Sequence, residues 1–252
     1  MSALNFKTLK ESFDRDGYVF IPGFLSPEEV KTMNENVKRF ISEKIPSMST
    51  GHYFYEDQND PSTLKQMQDM EKYDPYFQSL AVGSKFEEIA ETLLSDKAIA
   101  KTVEYFNKPP RIGKATPPHQ DGYYFMLKPA HAVTMWLALE EVDGDNGCVH
   151  YVKGSHLKGM RPHGKTQTLG FSQGITDFGT EEDIANEVPM PAKPGDLLIH
   201  HALTIHRAGG NKSLTRSRRA MGLIYFGASA KEDVDAKERY MKQLQEERRG
   251  EV

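Results

Sequence analysis

Residues 133–152 read Val-Thr-Met-Trp-Leu-Ala-Leu-Glu-Glu-Val-Asp-Gly-Asp-Asn-Gly-Cys-Val-His-Tyr-Val. The run Val133 to Leu139 is apolar at nearly every position, so it predicts a strand covered on both faces, in the middle of a sheet. Gly144-Asp145-Asn146-Gly147 supplies the residues of a turn, and Cys148 to Val152 predicts the next strand. The same pattern recurs downstream. Pro194-Gly195-Asp196 turns into Leu197-Leu198-Ile199, and Arg219 to Phe226 closes the series. Short strands separated by turn signals, over about residues 101–228, predict an antiparallel sandwich or barrel.

Upstream the texture differs, and residues 1–100 read as mostly helical. Ser26-Pro27-Glu28-Glu29 is a helix start, with a serine cap, proline in the first turn and glutamate three residues after the cap. Val30, Met33, Val37, Phe40 and Ile41 follow at helical spacing and stop before Pro46. A second helix is expected over Lys85 to Leu94, with Phe86, Ile89, Ala90 and Leu93 on one face, and a short strand over Tyr18 to Pro22. These apolar faces predict core packing. Residues 160–190 read as a long loop, a candidate lid. Lys231 to Val252 reads as a charged surface helix with a sparse stripe of Val234, Met241 and Leu244. With no repeat, low-complexity tract or flexible linker, the expectation is one domain: a helical layer over about 1–100, a β core over about 101–228 and a charged helix over about 229–252.

Composition narrows the classes of function. The chain has 252 residues, with 32 Lys+Arg against 36 Asp+Glu and a net charge of −4, so no global attraction to nucleic acid or an anionic membrane is expected. A single cysteine, Cys148, excludes an internal disulfide and a multi-cysteine zinc site and suits a reducing, cytoplasmic location. The most apolar run is far shorter than the ~20 residues of a membrane helix. The expected partner is a small molecule.

One pattern among the nine histidines carries chemistry. His119-Gln120-Asp121 is His-x-Asp, and on a strand its first and third residues share a face. Alone, the pattern arises by chance in many proteins. Joined by a distant histidine it makes the two-histidine, one-carboxylate set of non-haem Fe(II) oxygenases, which leaves open positions on the metal. His206, after the Leu197–Ile199 strand, can supply the third ligand. Arg218 enters the final strand 218 − 206 = 12 residues later. A 2-oxoglutarate co-substrate would chelate the iron by its keto acid, leave one position for dioxygen, and need a bidentate cation for its far carboxylate. His200 and His201 read as core or second-layer residues hydrogen-bonded near the site.

In their order along the chain these residues resemble the phytanoyl-CoA dioxygenase family of Fe(II)/2-oxoglutarate oxygenases. The resemblance spans roughly residues 10–228: Tyr18 to Ser26, Asn107-Lys108-Pro109-Pro110, His119-Gln120-Asp121, Trp136 in its strand, Asn146-Gly147-Cys148, Lys153-Gly154-Ser155-His156, Pro194-Gly195-Asp196 before His206, and Asn211-Lys212-Ser213 before Arg218. It implies a mainly β fold with added α: a double-stranded β-helix core, jelly-roll and cupin-like, with N-terminal helices packed outside. It implies His119, Asp121 and His206 as iron ligands, Arg218 as the partner of the 2-oxoglutarate carboxylate, and Trp136 and Gln120 in the co-substrate pocket. The implied reaction is hydroxylation of a small organic substrate with release of succinate and CO₂. Arg219 is the off-by-one alternative, expected on the opposite side of the strand. Glu104 and Ala208 depart from the side chains expected at two pocket positions. Asp121 argues against a halogenase, in which a small residue leaves room for halide.

Tyr123, Tyr124, His156 and Arg161 are candidate substrate contacts. Lys153, His156, Lys158, Arg161, His163 and Lys165 form a basic run that suggests an anionic or zwitterionic substrate, although Asp177, Glu181, Glu182 and Asp183 could neutralise it. Two other readings stay open: a non-catalytic jelly-roll that binds a metal or ligand, and a zinc-type hydrolase, for which no general base is evident.

Overall fold

The computed structural model describes residues 5–168, 171–240 and 242. Its strands, in chain order, are β1 (Tyr18–Ile21), β2 (Tyr53–Tyr55), β3 (Leu64–Met67), β4 (Ala98–Lys108), β5 (Thr116–His119), β6 (Leu127–Lys128), β7 (Ala132–Ala138), β8 (Val149–Val152), β9 (His163–Thr168), β10 (Phe171–Ile175), β11 (Glu187–Met190), β12 (Leu197–His201), β13 (His206–Ala208), β14 (Arg218–Gly227) and β15 (Lys231–Glu232). A seven-stranded sheet runs β1-β12-β7-β14-β4-β3-β2, and a four-stranded sheet runs β11-β8-β13-β5. All pairings between these strands are antiparallel. β7 lies between β12 and β14, and every one of its residues is buried, as its unbroken apolar run requires.

Strand alternation sorts the large sheet into two faces. Val133, Met135, Leu137, Leu197, Ile199, Met221, Leu223 and Tyr225 join one apolar cluster with Phe13, Val37, Phe40, Phe86 and Ile89. That face is roofed by the helices α1 (Phe6–Asp16), α2 (Pro27–Glu43), α3 (Met70–Tyr73), α4 (Pro75–Ala81) and α5 (Lys85–Leu94). The intervening residues Trp136, Ala138, Leu198 and Ala220 cluster instead with Val149 and Tyr151 of the small sheet. The two sheets therefore face each other, as in a jelly-roll. α2 starts with a complete capping box between Ser26 and Glu29, and α5 occupies Lys85–Leu94 as its apolar spacing predicts.

Three expectations need correction. The first hundred residues are not only a helical layer, because β1, β2 and β3 join the large sheet. β3 has no signature in the sequence, because Leu64-Lys65-Gln66-Met67 does not alternate in polarity, and all four residues are buried. Residues 160–190 are not a bare loop: they contain the β9–β10 hairpin, the helix α7 (Glu181–Asn186) and β11. The C-terminal segment begins as β15 paired to β6, and helix follows over residues 234–240. Val234 is exposed, while Met241 and Leu244 of its proposed stripe lie outside the described residues.

Candidate metal centre

His119 ends β5 and His206 begins β13, and the two are direct partners across the small sheet, with ring centroids 4.1 Å apart. His119 Nδ1 lies 2.8 Å from the carbonyl of Pro117, and His206 Nδ1 lies 3.0 Å from that of Thr204. A carbonyl can only accept, so both Nδ1 atoms donate outward and both Nε2 atoms face inward. Asp121 does not reach the site by strand alternation. β5 stops at His119, and Asp121 has helical backbone angles (φ −59°, ψ −32°) just before the short helix α6 (Gly122–Phe125). That bend brings Asp121 Oδ1 to 3.4 Å from His119 Nε2 and 3.5 Å from His206 Nε2. Ligand atoms of the three residues lie within 4.8 Å of one another, the spacing of a site for one ion.

The other carboxylate oxygen is held by the large sheet. Asp121 Oδ2 accepts from Thr134 Oγ1 at 2.6 Å and from His200 Nε2 at 3.0 Å. His200 Nδ1 in turn accepts from the Tyr151 hydroxyl at 2.9 Å, and Tyr151 stacks on Tyr18 at 4.8 Å. Oδ2 is thus occupied by donors while Oδ1 faces the two imidazoles. Burial alone would raise the Asp121 carboxyl, but His206, His119 and His200 hold it well below the usual carboxylate range. Burial, followed by His119 and His200, pushes His206 well below its ordinary value. A carboxylate facing two imidazole nitrogens is a fitting donor set for a divalent cation.

The centre opens onto a cavity of about 280 Å³. Arg218 lines it, is 5% exposed, and lies 5.3 Å from the Trp136 ring. Its Nε has no hydrogen-bond partner, and among the described residues it makes no ion pair. Burial lowers its guanidinium to about 10. Arg219 points to the other side of the strand, where it pairs with Glu140 at 2.7 Å. Lys108, opposite Arg218 on β4, is buried and donates to the carbonyl of Lys114 and to Thr116 Oγ1. Glu104 and Ala208 also line the cavity.

Gln120 does not line this cavity. Its amide is consumed by the backbone, donating to the carbonyls of Gly159 (2.9 Å) and Leu203 (2.7 Å) and accepting from Arg161 N–H (2.8 Å). Of the candidate substrate contacts only Tyr124 lines the cavity, and its hydroxyl donates to the Gln173 carbonyl at 2.7 Å. Tyr123 stacks on His163 at 4.3 Å, and His156 Nε2 bonds the Asp14 carbonyl at 3.1 Å. Arg161 pairs with Asp177 (2.9 Å) and Asp183 (3.0 Å), Lys153 with Asp16 (3.5 Å), and Lys158 with Glu182. The basic run is therefore matched by neighbouring carboxylates and is not a docking surface on the cavity. Nothing local in the sequence distinguishes Thr134, Tyr151 and Gln66 from core or surface residues, and Lys108 stands there only as part of the Asn107-Lys108-Pro109-Pro110 motif.

Residues 13–220 match the family model described as Phytanoyl-CoA dioxygenase (PhyH). Phytanoyl-CoA dioxygenase 1 of Oryza sativa subsp. japonica is 26% identical over 245 residues, covering 84% of this chain and 85% of its own. The peroxisomal phytanoyl-CoA dioxygenase of Mus musculus is 23% identical over 244 residues, covering 90% and 69%. Among solved structures, the epimerase SnoN, crystallised with Fe³⁺, alpha ketoglutarate and nogalamycin RO, superposes with a TM-score of 0.72 at 25% identity over 89% of this chain and 84% of that one. EctD from S. alaskensis, crystallised with 2-oxoglutarate and 5-hydroxyectoine, gives a TM-score of 0.72 at 20% identity over 91% and 77%. The match to the family model covers most of the chain, and the chain belongs to the phytanoyl-CoA dioxygenase family of non-haem iron, 2-oxoglutarate-dependent enzymes.

Proposed function

We propose that this chain is an Fe(II)- and 2-oxoglutarate-dependent dioxygenase that hydroxylates a small organic substrate and releases succinate and CO₂. The observation that carries the reading is Arg218, a buried guanidinium without a counter-ion among the described residues, in the cavity onto which His119, Asp121 and His206 open. A protein that only bound a metal would need the three ligands and not the cation. Burying an unpaired charge is costly, so its presence fits an anionic ligand that enters the cavity.

The donor set suits the implied group: two imidazole nitrogens and one carboxylate leave other positions free on a six-coordinate iron. Bound iron would supply the oxidation chemistry of dioxygen and the keto acid. The residues do the rest. His119 and His206 are fixed in one tautomer by Pro117 and Thr204, and Thr134 and His200 turn Oδ1 of Asp121 toward them. Arg218, with Trp136 beneath it, would clamp the far carboxylate of 2-oxoglutarate. Tyr124 and the apolar wall around it would border the substrate. No side chain is needed as a general acid or base. The anionic or zwitterionic substrate suggested by residues 153–165 loses its support, because Lys153, Lys158 and Arg161 are already paired.

The core supports the single-domain reading, since one apolar cluster extends from Phe13 to Tyr225. A cytoplasmic location remains part of the proposal. Cys148 is free and buried, and among the described residues no helix is long and apolar enough to cross a membrane. The test is 2-oxoglutarate-dependent succinate formation with Fe(II), together with the visible charge-transfer band expected when Fe(II) and 2-oxoglutarate are added without oxygen. His119→Ala and Asp121→Ala should abolish both. A wild-type protein that shows neither would be a binding protein, and full activity in either variant would overturn the ligand assignment.

A further inference from the structure

We propose that the end of the cavity away from Arg218, bordered by Tyr124, Phe125 and Ile224, is a substrate subsite, and that it takes a hydrocarbon group and offers no hydrogen bond. This rests on the catalytic reading above and adds a substrate class to it.

Cross-strand register separates this end from the co-substrate. Along β14 the cavity is lined by Arg218, opposite Lys108 on β4, and by Ile224, opposite Thr134 on β7. Six residues of strand, about 20 Å, lie between them. Thr134 holds Asp121 Oδ2 at 2.6 Å, so Ile224 stands level with the metal ligand, and the co-substrate would span the rows from there to Arg218. Phe226 is the next inward residue of β14. Phe125 packs against it with ring centroids 5.0 Å apart, which puts Phe125 beyond the Thr134 row. The Tyr124 ring meets the ring of the metal ligand His119 edge to face, 6.3 Å between centroids. Behind this border Leu127, Ala132, Ala202 and Phe226 form an apolar cluster of their own, on which Phe125 and Ile224 rest half-buried.

Chemistry sets the kind of group. Phe125 and Ile224 carry no polar side-chain atom. The Tyr124 hydroxyl is engaged in both directions, donating to the Gln173 carbonyl at 2.7 Å and accepting from the Gln173 N–H at 3.2 Å. Glu104 and Lys108, the charged residues that β4 sends to the cavity, lie in rows on the Arg218 side of Thr134. Lys101, whose ammonium lies 4.7 Å from the Phe226 ring, pairs with Glu232, and Lys128 pairs with Asp233. A hydroxyl or a charge placed against this border would give up water and find no partner, whereas a hydrocarbon would gain from burial on both sides of the contact.

The test uses two uncharged probes on one six-membered ring, cyclohexanol and myo-inositol, detected by ligand-observed NMR. The protein is saturated with Co(II) and 2-oxoglutarate, so that the Arg218 end is already filled. Paramagnetic broadening of the probe, with the Zn(II) protein as diamagnetic blank, reports binding beside the metal. Cyclohexanol should bind the wild type at about 10 mM, the range expected of so small a ligand, and be broadened by Co(II). Inositol, with a hydroxyl on every carbon, should bind at least about tenfold more weakly. Ile224→Thr keeps a β-branched side chain on the strand and should weaken cyclohexanol about fivefold, as expected for the loss of one or two buried carbons. Phe125→Ser should weaken it at least as much, and serves if thermal melting shows the threonine variant unfolded. The proposal is overturned if inositol binds as tightly as cyclohexanol, if cyclohexanol binds the wild type without Co(II) broadening or does not bind, or if the folded variants bind it like wild type. If the wild type takes up neither metal nor 2-oxoglutarate, the catalytic reading fails instead, and the two probes with the two variants still decide the subsite on the metal-free protein.

Discussion

Replacing Arg218 with methionine should stabilise the fold and ruin co-substrate binding. The guanidinium is fully desolvated, and its fall from an ordinary 12.5 to about 10 corresponds to about 3 kcal/mol against the charged form. The group is charged in the folded and unfolded states below about pH 10, so this penalty is constant near neutrality. Packing of the desolvated cation on Trp136 returns about 2 kcal/mol. Methionine fills similar space without charge, leaving a net gain of about 1 kcal/mol, or roughly 2–4 °C in Tm for a chain of this size. Binding should move the other way. Two charge-assisted hydrogen bonds to a carboxylate are worth about 3–6 kcal/mol together, so the Kd for 2-oxoglutarate should rise by about 10²–10⁴-fold. Arg218→Lys should fall between, because a point charge loses the fork geometry. Trp136 is the chain's single tryptophan, so its fluorescence offers a direct titration signal for the co-substrate. A methionine variant that binds 2-oxoglutarate within about tenfold of wild type, or that melts well below it, would refute the account of Arg218 as a cation held in reserve for a ligand.

Thr134→Val and His200→Phe should each weaken Co(II) or Fe(II) binding about tenfold, because each removes a donor that orients Asp121; unchanged metal titrations would mean the carboxylate needs neither. Glu104 makes stability depend on pH. Its folded pKa of about 8 exceeds the unfolded value near 4.5, so the folded state holds an extra proton in that window. Stability is therefore full below about pH 4.5 and falls as pH rises through about 8, by up to about 1.4 kcal/mol per unit. Urea midpoints should show this decline in wild type and not in Glu104→Gln, and parallel pH profiles would count against a neutral buried carboxyl. Gly147→Ala should cost about 1–3 kcal/mol, since the backbone there has φ +93° and an added Cβ would lie 2.5 Å from the Gly209 carbonyl oxygen; an unchanged Tm would contradict it.

Several features were legible because they are local. The capping box at Ser26 and Glu29 and the apolar spacing over Lys85–Leu94 need only nearby residues, and both helices form where that spacing puts them. β7 could be recognised as central because burial on both faces removes the polar alternation of an edge strand. Residues 160–190 carry no legible strand signal, because β9 and β10 satisfy their backbone through each other, and β11 through β8, with little apolar patterning to show it. The basic run misled for a related reason: sequence shows the charges, and only the fold shows Asp16, Glu182 and Asp183 beside them.

By itself the sequence determined the chemistry available to this protein. It contains a His-x-Asp pair, a later histidine and an arginine ahead of the last strand, with one cysteine to compete for metal. Side-chain chemistry and order along the chain are sufficient for that, and for the antiparallel β class, because strand and turn preferences are short-ranged. The tertiary structure decided the geometry. It placed Asp121 by a bend after β5, clamped the carboxylate with Thr134 and His200 from the facing sheet, left Arg218 without a counter-ion among the described residues, and turned Gln120, Tyr123, His156 and Arg161 away from the cavity. These outcomes depend on contacts between residues 13 to 142 positions apart. Such contacts follow from the register of two packed sheets, and no local pattern encodes that register.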